Sequence, residues 1–558
     1  MNQSMSLTAL ALLIPCLPMA VAALLFLPPL KKLALCIAPW VPASALLLFA
    51  LHGETVALPW LLLGARVGLD TVAAPLLLLA TVAWTIAGIH ARQRIDPEQQ
   101  GRFFLFWLLS WTGNLCVFIT LDAASFYAAY AMMSFSAYGL IIFYGRAADY
   151  RAGRIYLVMA LMGEALILAG LFMLGSQLGN VAFDQVATDR GELPHALAVA
   201  GLFAAGFAVK MGMLPLHMWL PLAHPQAPVP ASAVLSGVIL TAGLMGWIRF
   251  LPVGADGFML PGMAMLVVGL ASAFFGVAIG LTQDRMKTLL AYSSISQMGL
   301  ICALVGAALL FPDKSTGLLS IATLFALHHG LAKTALFLAV DTVKERPALA
   351  RHLCWLPAIA LSGAPLTSGA LAKVGMKGSW PEALAGVEPL LLASSVATTL
   401  LMARFLLLLW RESRTQEESG TPQGHWLLLL LGGLTLPWLS AAMTASASLS
   451  RPFSPDYLAE TLLPVLTGVA IAWLAWQLRL ERWRPAIPPG DVINLPVHMA
   501  LPALPRLSAG QSLPKPPLQH WLAHMEQCLS RMTPSLLLFL AALTLLLLLG
   551  LLPYWVAS

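Results

Sequence analysis

Apolar stretches long enough to cross a bilayer follow one another along almost the whole of this sequence. A helix needs about 20 residues to span the hydrocarbon core, because it rises about 1.5 Å per residue. About sixteen stretches satisfy that requirement: 6–27, 33–51, 70–90, 103–121, 123–145, 155–176, 196–219, 229–251, 258–281, 288–311, 316–342, 353–376, 387–410, 425–447, 460–478 and 534–556. The sequence therefore predicts an all-α polytopic membrane protein.

Composition excludes several other classes of protein. Only 10% of the 558 residues are charged, whereas 59% are hydrophobic. A soluble chain would carry about 25% charged residues, and a membrane β-barrel would need alternating strands of about ten residues. We attribute the net charge of +6 to the usual excess of Lys and Arg in inner loops. A soluble enzyme, a nucleic-acid-binding protein and a β-barrel are thus excluded.

The sequence offers no ligand pattern for a redox centre or a metal. Iron–sulfur, zinc and haem sites need closely spaced ligands, but the six cysteines are scattered over positions 16, 36, 116, 302, 354 and 528. We therefore expect no cofactor, no metal and no catalytic residue in this chain. The N-terminal stretch is not a cleavable signal by pattern, since no Lys or Arg precedes its apolar segment.

Orientation follows from the count of Lys and Arg in alternate loops. With the N-terminus outside, the inner loops hold fifteen such residues and the outer loops hold four. The acidic loop 177–195 would then lie outside. Both termini are predicted on the outer, periplasmic side of a cell inner membrane.

Five boundaries divide the predicted chain. Helices 1–3 occupy 1–102, a first half-channel repeat of helices 4–8 occupies 103–252, and a second repeat of helices 9–13 occupies 258–411. Helices 14 and 15 follow in 425–479. The polar, proline-rich segment 480–533 is predicted to be an inner linker, either a plain tether or one with a short amphipathic helix. The segment 534–558 forms the last predicted helix.

Ionisable side chains in the middle of spans carry the functional information. Each is costly in a bilayer unless it is paired or hydrated. A single one can be a structural ion pair, but a set that combines an acid with lysines and histidines favours a path for protons, because lysine and histidine change protonation when buried. His329 and Lys333 are four residues apart and share a helix face. The mid-span residues are Glu164, Lys210, His328, His329, Lys333, Lys373 and Arg404.

Prolines next to two of these lysines predict broken helices. Lys210 is followed by Pro215 and Pro221. Pro365 lies in the stretch 363–369, which begins and ends with glycine and precedes Lys373. Proline removes a helical hydrogen bond and clashes with the preceding turn. In membranes such breaks occur where a helix lines a polar cavity. Predicted helices 7 and 12 are therefore interrupted, which suggests two related halves.

Three runs of residues resemble one family. Residues 210–237, 283–299 and 329–338 resemble, in the expected order, the motifs of the antiporter-like proton-pumping subunits. These subunits occur in respiratory complex I, in membrane-bound nickel–iron hydrogenases of the formate hydrogenlyase type, and in multisubunit cation/proton antiporters. The resemblance covers residues 60–415. Within it, the sequence of residues 223–228 is most similar to the hydrogenase-type branch. The resemblance implies two inverted five-helix repeats.

The resemblance also implies roles for particular residues. Lys210 matches the central lysine of the first half-channel, and His329 with Lys333 matches the connecting pair of the eleventh helix. Lys373 matches the terminal lysine of the broken twelfth helix, from which protons leave. Glu164 falls where some members carry an acid. His328, adjacent to His329, completes the predicted set of translocating residues.

Three positions depart from the family pattern. The fifth-helix glutamate is replaced by Ala131, the eighth-helix lysine by Thr241, and the acid after the twelfth-helix lysine by Val374. The first half-channel therefore lacks its usual lysine–glutamate pair. Either Glu164 replaces the missing acid beside Lys210, or that half no longer pumps.

Three functions remain open at this point. The first is a proton-translocating subunit of a redox-driven complex of the hydrogenase or complex I type, with other membrane subunits and redox subunits as partners and with no active site of its own. The second is a subunit of a multisubunit cation/proton antiporter, or of an ion-coupled solute uptake system, in which sodium could replace the proton. The third is a scaffold that has lost conduction.

Overall fold

A computed structural model describes residues 2–178, 182–183, 195–418, 424–443, 454–479, 485 and 487–490. These residues belong to one compact unit, and most of them are helical. The predicted linker 480–533 and the last predicted helix 534–558 lie almost entirely outside the described residues, as does most of the predicted outer loop 177–195.

The α-helices are numbered here in chain order. They are α1 (Asn2–Leu24), α2 (Lys31–Ile37), α3 (Ala73–Arg94), α4 (Gln100–Ile119), α5 (Ala123–Ile141), α6 (Ala147–Leu178), α7 (Ala196–Met211), α8 (Trp219–Gln226), α9 (Val229–Val234), α10 (Thr241–Phe250), α11 (Met259–Leu281), α12 (Met286–Leu310), α13 (Ser315–Glu345), α14 (Pro347–Leu353), α15 (Trp355–Ser362), α16 (Ser368–Gly378), α17 (Glu388–Ser413), α18 (Gly424–Met443) and α19 (Pro455–Gln477). Shorter helical turns of other types occupy Val41–Leu51, Leu235–Ile239, Pro312–Lys314 and Glu382–Val387.

The described residues contain 11 helices that are long and apolar enough to cross a membrane, or 12 when the bent pair Lys31–Ile37 and Val41–Leu51 is one span. The chain is thus a polytopic helical membrane protein. Three further predicted spans fall on helices that are less apolar or interrupted: α5, the α7–α8 pair and the α15–α16 pair. The number of sixteen and the inverted repeats stay predictions.

One small element has no counterpart in the sequence-based prediction. Two strands, β1 (Thr55–Leu58) and β2 (Ala65–Gly68), form an antiparallel hairpin between the second and third spans, with Thr55 opposite Gly68. A Cβ atom on Gly68 would lie 2.4 Å from the carbonyl oxygen of Glu54. The hairpin therefore depends on a close backbone approach that apolar periodicity does not reveal.

The α7–α8 interruption lies where Lys210 was predicted to precede a break. α7 ends at Met211, and Gly212 adopts a φ of 69°, which terminates the helix at little steric cost. The indole nitrogen of Trp219 donates to the carbonyl of Val209 at 2.8 Å and so satisfies an oxygen at the helix end. Pro215 lies in the break, whereas Pro221 lies in the first turn of α8, where proline is tolerated.

The α15–α16 interruption is built in a similar way. α15 ends at Ser362, Gly363 follows with a φ of 86°, and α16 begins at Ser368 with Thr367 as its N-cap. Pro365 lies between the two helices. At this break the carbonyl of Ser362 accepts a hydrogen bond from Lys373.

Helix α13 is the centre of the second half of the unit. It packs against α3, α9, α12, α15, α16 and α18, and its middle turns are buried on every side. The turn Leu235–Ile239 approaches it very closely, since a Cβ atom on Gly237 would lie 2.8 Å from the carbonyl oxygen of Gly330. This contact places the polar residues of α13 beside those of the chain segment after the first break.

Candidate functional site

The first group of buried ionisable residues surrounds Lys210, which the last turn of α7 carries into the protein. The Lys210 ammonium donates a hydrogen bond to the hydroxyl of Ser134 on α5 at 2.7 Å and lies 3.5 Å from the hydroxyl of Tyr156 on α6. It also lies 5.2 Å and 5.5 Å from the ring centres of Tyr130 and Tyr156. Hydroxyl groups and aromatic faces thus stabilise the cation.

Glu164 lies in the same group. Its side chain is 4% exposed, as is that of Lys210, and its carboxylate is close enough to interact electrostatically with Lys210. A Cβ atom on Gly163 would lie 3.0 Å from the carbonyl oxygen of Gly206 on α7. This close packing of α6 on α7 brings Glu164 towards Lys210. We name Glu164, Lys210, Ser134, Tyr130 and Tyr156 the Lys210 cluster.

The second group is a line of basic residues carried by α8, α12, α13 and α16. Neighbours along it are close enough to interact electrostatically: His224 with Lys287 and Lys333, His329 with Lys333 and His328, and His328 with Lys373. We name this set the basic row; in spatial order it contains Lys287, His224, Lys333, His329, His328 and Lys373.

Lys333 occupies the middle of the basic row and is 0% exposed. Its ammonium donates to the backbone carbonyl of Leu290 on α12 at 2.8 Å. His329, one turn earlier on α13, is equally buried, and neither ring nitrogen has a hydrogen-bond partner among the described residues. Buried polar nitrogens in proteins usually have a hydrogen-bond partner, which an ordered water can supply.

The end of the basic row depends on the α15–α16 break. His328 shares a hydrogen bond of 2.8 Å with the hydroxyl of Ser368, and the ammonium of the half-buried Lys373 donates to the carbonyl of Ser362 at 3.1 Å. A Cβ atom on Gly363 would lie 2.8 Å from Cδ of Lys373. The break therefore supplies both the carbonyl that Lys373 uses and the space that its side chain needs.

Beyond Lys373 a small cavity of about 40 Å³ leads towards the surface. Its lining includes Lys373, Lys377, Ser394 and Glu460. Lys377 and Glu460 form an ion pair of 3.0 Å and are partly exposed. The row thus ends beside a small cavity that contains this ion pair.

Several charged residues near the spans have structural partners instead. Arg404 pairs with Asp284 at 2.9 Å, and Arg249 pairs with Asp70. Asp122 caps α5 by accepting from the backbone of Ser125 at 2.8 Å. Arg404 was grouped with the mid-span functional residues, and its ion pair separates it from both the Lys210 cluster and the basic row.

The departures from the family pattern have simple surroundings. Thr241 donates to the carbonyl of Val238 in the preceding helical turn at 2.7 Å, so it adds no titratable group. Ala131 lies three residues before Ser134 on α5, and it is Ser134 that contacts Lys210. Among the described residues no cluster of three or more His, Cys, Asp or Glu side chains could hold a metal ion.

Five members of the two groups had no predicted role. Ser134, Tyr130 and Tyr156 lie outside any charge pattern, and His224 was assigned no function. Lys287 was counted in an inner loop, but it lies in the first turn of α12, and its ammonium contacts the carbonyl of Ala227. The run 210–237 contains His224, so that run was the available signal for it.

Residues 120–376 match a family described as "NADH:quinone oxidoreductase/Mrp antiporter, TM". These residues include the whole Lys210 cluster and the whole basic row. Residues 120–376 are thus similar to the transmembrane domain of this antiporter-like family. The resemblance read from the three sequence runs is thereby confirmed.

Curated relatives of the antiporter-like family agree. The chain is 29% identical to "Hydrogenase-4 component B" of Escherichia coli over 315 residues, which is 53% of this chain and 47% of the relative. It is 32% identical to "NAD(P)H-quinone oxidoreductase chain 4 1" of Picosynechococcus over 302 residues, 53% of this chain and 55% of the relative. The chain thus spans about half the length of the curated relatives it matches.

Solved structures show the same fold. The Mrp complex from Dietzia sp. DQ12-45-1b superposes with a TM-score of 0.74 at 19% identity, over 89% of this chain and 59% of that chain. The membrane-bound sulfane sulfur reductase, an archaeal respiratory membrane complex, superposes with a TM-score of 0.65 at 18% identity, over 83% of this chain and 99% of that chain. At these identities the likeness concerns the fold alone.

Proposed function

We propose that this chain is a proton-translocating, antiporter-like membrane subunit of a redox-driven complex of the hydrogenase or complex I type. Protons move through Glu164, Lys210, His328, His329, Lys333 and Lys373, and electron transfer takes place in partner subunits. The chain supplies the membrane path and has no active site of its own.

The observation that supports this proposal most strongly is the continuity of the basic row. Each of its members interacts electrostatically with the next, from Lys287 to Lys373. Because like charges repel at such distances, the members cannot all be protonated at once. A proton added at one end therefore favours the loss of a proton at the other, which is the behaviour a relay requires.

Burial makes the row suitable for coupling to a membrane potential. Moving one elementary charge across the bilayer is worth about 2.3 kcal/mol per 100 mV. A buried lysine such as Lys333 can exchange its proton within that energy range, because burial disfavours the charged ammonium. Lysine and histidine also have side chains that can accept and donate protons in turn.

The proposal is tested by Lys333→Ala in the complete complex, purified with its partners and reconstituted in proteoliposomes. We expect assembly to be unchanged and proton uptake, measured with a pH-sensitive dye, to be abolished. Lys314→Ala is the matched control, since Lys314 is an exposed lysine immediately before α13. Pumping at the wild-type rate by Lys333→Ala would refute the proposed function.

The redox-driven parent complex is proposed because the relatives quoted above include a hydrogenase-4 component and a quinone oxidoreductase chain. Affinity purification of the tagged chain from native membranes tests this part. We expect hydrogenase or quinone-oxidoreductase subunits to co-purify. Small antiporter subunits in their place would assign the chain to a cation/proton antiporter.

A further inference from the structure

A polar cavity lies at the end of α13 opposite the α15–α16 break. Its volume is about 200 Å³, and it is lined by Arg94, Tyr144, the segment 228–230, Asp341, Lys344 and Glu345. The same end of the protein carries the loops predicted to lie inside, where Lys and Arg are concentrated. Arg94 and Glu345 form an ion pair beside the cavity.

Two histidines lie behind Asp341. His90 on α3 is 0% exposed, and its Nε2 atom lies 3.7 Å from the Asp341 carboxylate. Its other nitrogen, Nδ1, shares a hydrogen bond of 3.0 Å with Nε2 of His425 on α18. Lys344 lies 3.3 Å from the same carboxylate on the solvent side. Asp341 is thus the member of this group that lines the cavity and also contacts a buried base.

Asp341 is also connected to the basic row. Its carboxylate interacts electrostatically with Lys287, the first member of that row. The Lys287 ammonium contacts the carbonyl of Ala227, and the next residue, Pro228, lines the cavity. Lys287 is therefore connected to the cavity in two ways, through the Asp341 side chain and through the backbone at 227–228.

The spacing along α13 supports the same connection. His329, Lys333, Phe337 and Asp341 follow at intervals of four residues, so each lies next to the one before it on the helix surface. Phe337 separates Lys333 from Asp341, and the ring of His224 lies 5.0 Å from the Phe337 ring. The titratable groups that connect Asp341 with Lys333 around this apolar side chain are Lys287 and His224.

We propose that Asp341, together with His90 and His425, is the site at which protons are taken up from the cavity and delivered through Lys287 and His224 to Lys333. The Asp341 carboxylate takes a proton from solvent in the cavity and passes it to Lys287, and its contacts with His90 and Lys344 hold the carboxylate beside the cavity. The proposal rests on the proposed function, because it assigns the beginning of the same path.

A purely structural role for Asp341 would have different consequences. The ion pair between Arg94 and Glu345 already links α3 to α13 near this end, so a second structural link is not required there. A structural role would depend closely on the reach of the Asp341 side chain to His90 and Lys344, whereas a proton-transfer role depends mainly on the presence of a carboxylate beside the cavity.

The experiment compares Asp341→Asn, Asp341→Glu and Glu418→Gln in the reconstituted complex, with Lys333→Ala measured alongside. We expect Asp341→Asn to lower the rate of proton uptake roughly tenfold or more, because a positioned acid or base contributes at least that factor. Asp341→Glu should restore most of the rate. Glu418→Gln, which removes an exposed carboxylate paired with Arg346 at 3.7 Å, should pump normally.

The outcomes separate the two proposals. If Lys333→Ala abolishes pumping while an assembled Asp341→Asn complex pumps at the wild-type rate, the uptake site is refuted and the proposed function stands. If Asp341→Glu is as slow as Asp341→Asn, the side chain acts structurally and the uptake site is also refuted. If Lys333→Ala pumps normally, the proposed function itself fails. His90→Gln with a reduced rate and normal assembly would support the uptake site independently.

Discussion

The Lys210 cluster and the basic row both contain buried cations, but different groups surround those cations. In the cluster one carboxylate lies within electrostatic reach of one ammonium, and the ammonium contacts the hydroxyl groups of Ser134 and Tyr156. The row contains only basic groups, held by backbone carbonyls at Lys333 and Lys373. Acids stand outside its two ends, Asp341 at one and Glu460 at the other.

The comparison shows that the Lys210 cluster and the basic row differ in charge balance more than in burial. A lysine–glutamate pair can keep both charges inside the protein, because each ion compensates the other. A row of bases has no such compensation, so its protonation must be shared among its members. The row is therefore suited to passing a proton, and the cluster is suited to controlling when one arrives.

The largest effect is expected when the last member of the basic row, Lys373, is replaced. Lys373→Ala should abolish proton translocation, since no other titratable member connects His328 to the cavity beyond it in the described part of the chain. The complex should still assemble, because the Ser362 carbonyl at the helix break lies beside a cavity and can be hydrated. Dye-detected proton uptake in proteoliposomes measures the effect.

Lys314→Ala again serves as the control for removal of a lysine. A Lys373→Ala complex that assembles and pumps at half the wild-type rate or better would show that protons leave the row elsewhere. The comparison between the halves would then lose its premise, because the row would not be a single path.

The sequence predicted more of the row than of its surroundings. Lys210, Lys333 and Lys373 were identifiable because a charged residue inside an apolar stretch stands out in the sequence. A proline or glycine lies near each of them. Lys287 and Asp341 were not identifiable, because both lie near helix ends, where a charged residue is ordinary. Only the packing of α12 and α13 against the segment 224–230 makes these two residues part of a polar path.

The same limit applies to the Lys210 cluster. A missing acid at Ala131 can be read from the sequence by resemblance, and Glu164 can be named as the available carboxylate. The contribution of Ser134 cannot, because serine is common in such helices and its contact with Lys210 depends on how α5, α6 and α7 pack. The hairpin at Thr55–Gly68 escaped prediction for a similar reason, since it depends on one close backbone contact.

A smaller effect is expected from the Lys210 cluster, and a double-mutant cycle measures it. Glu164→Gln and Lys210→Met should each lower the pumping rate strongly, because either change leaves a buried charge without its counter-ion. The double variant should be little slower than either single variant, since coupled residues are not additive. Rates are compared in the reconstituted complex after assembly has been verified.

The cycle can also contradict the comparison. Additive losses would mean that Glu164 serves a different purpose from Lys210, so that the two are not a pair. Wild-type rates in both single variants would show that the first half is silent and that the basic row works alone. In that case the first half would be a scaffold for the second.

The smallest expected effect concerns the hydroxyl group that links the pair. Ser134 and Ser136 lie on the same helix, both are buried, and both donate to the carbonyl four residues earlier, at 2.9 Å and 2.5 Å. Only Ser134 also accepts from Lys210. Ser134→Ala therefore removes one hydrogen bond to a charged group, which is worth about 1.5–3 kcal/mol.

Part of that energy can be recovered, because the Tyr156 hydroxyl lies 3.5 Å from the same ammonium and can move closer. We therefore expect Ser134→Ala to slow pumping roughly three- to tenfold, where tenfold corresponds to about 1.4 kcal/mol in an activation barrier. Ser136→Ala should leave the rate unchanged, since it removes a similar bond to the helix and no contact with Lys210. Equal rates in the two variants would mean that the Ser134 hydroxyl only completes the packing of α5. The cluster would then depend on the Glu164–Lys210 charges alone, and the difference between the halves would reduce to the single carboxylate.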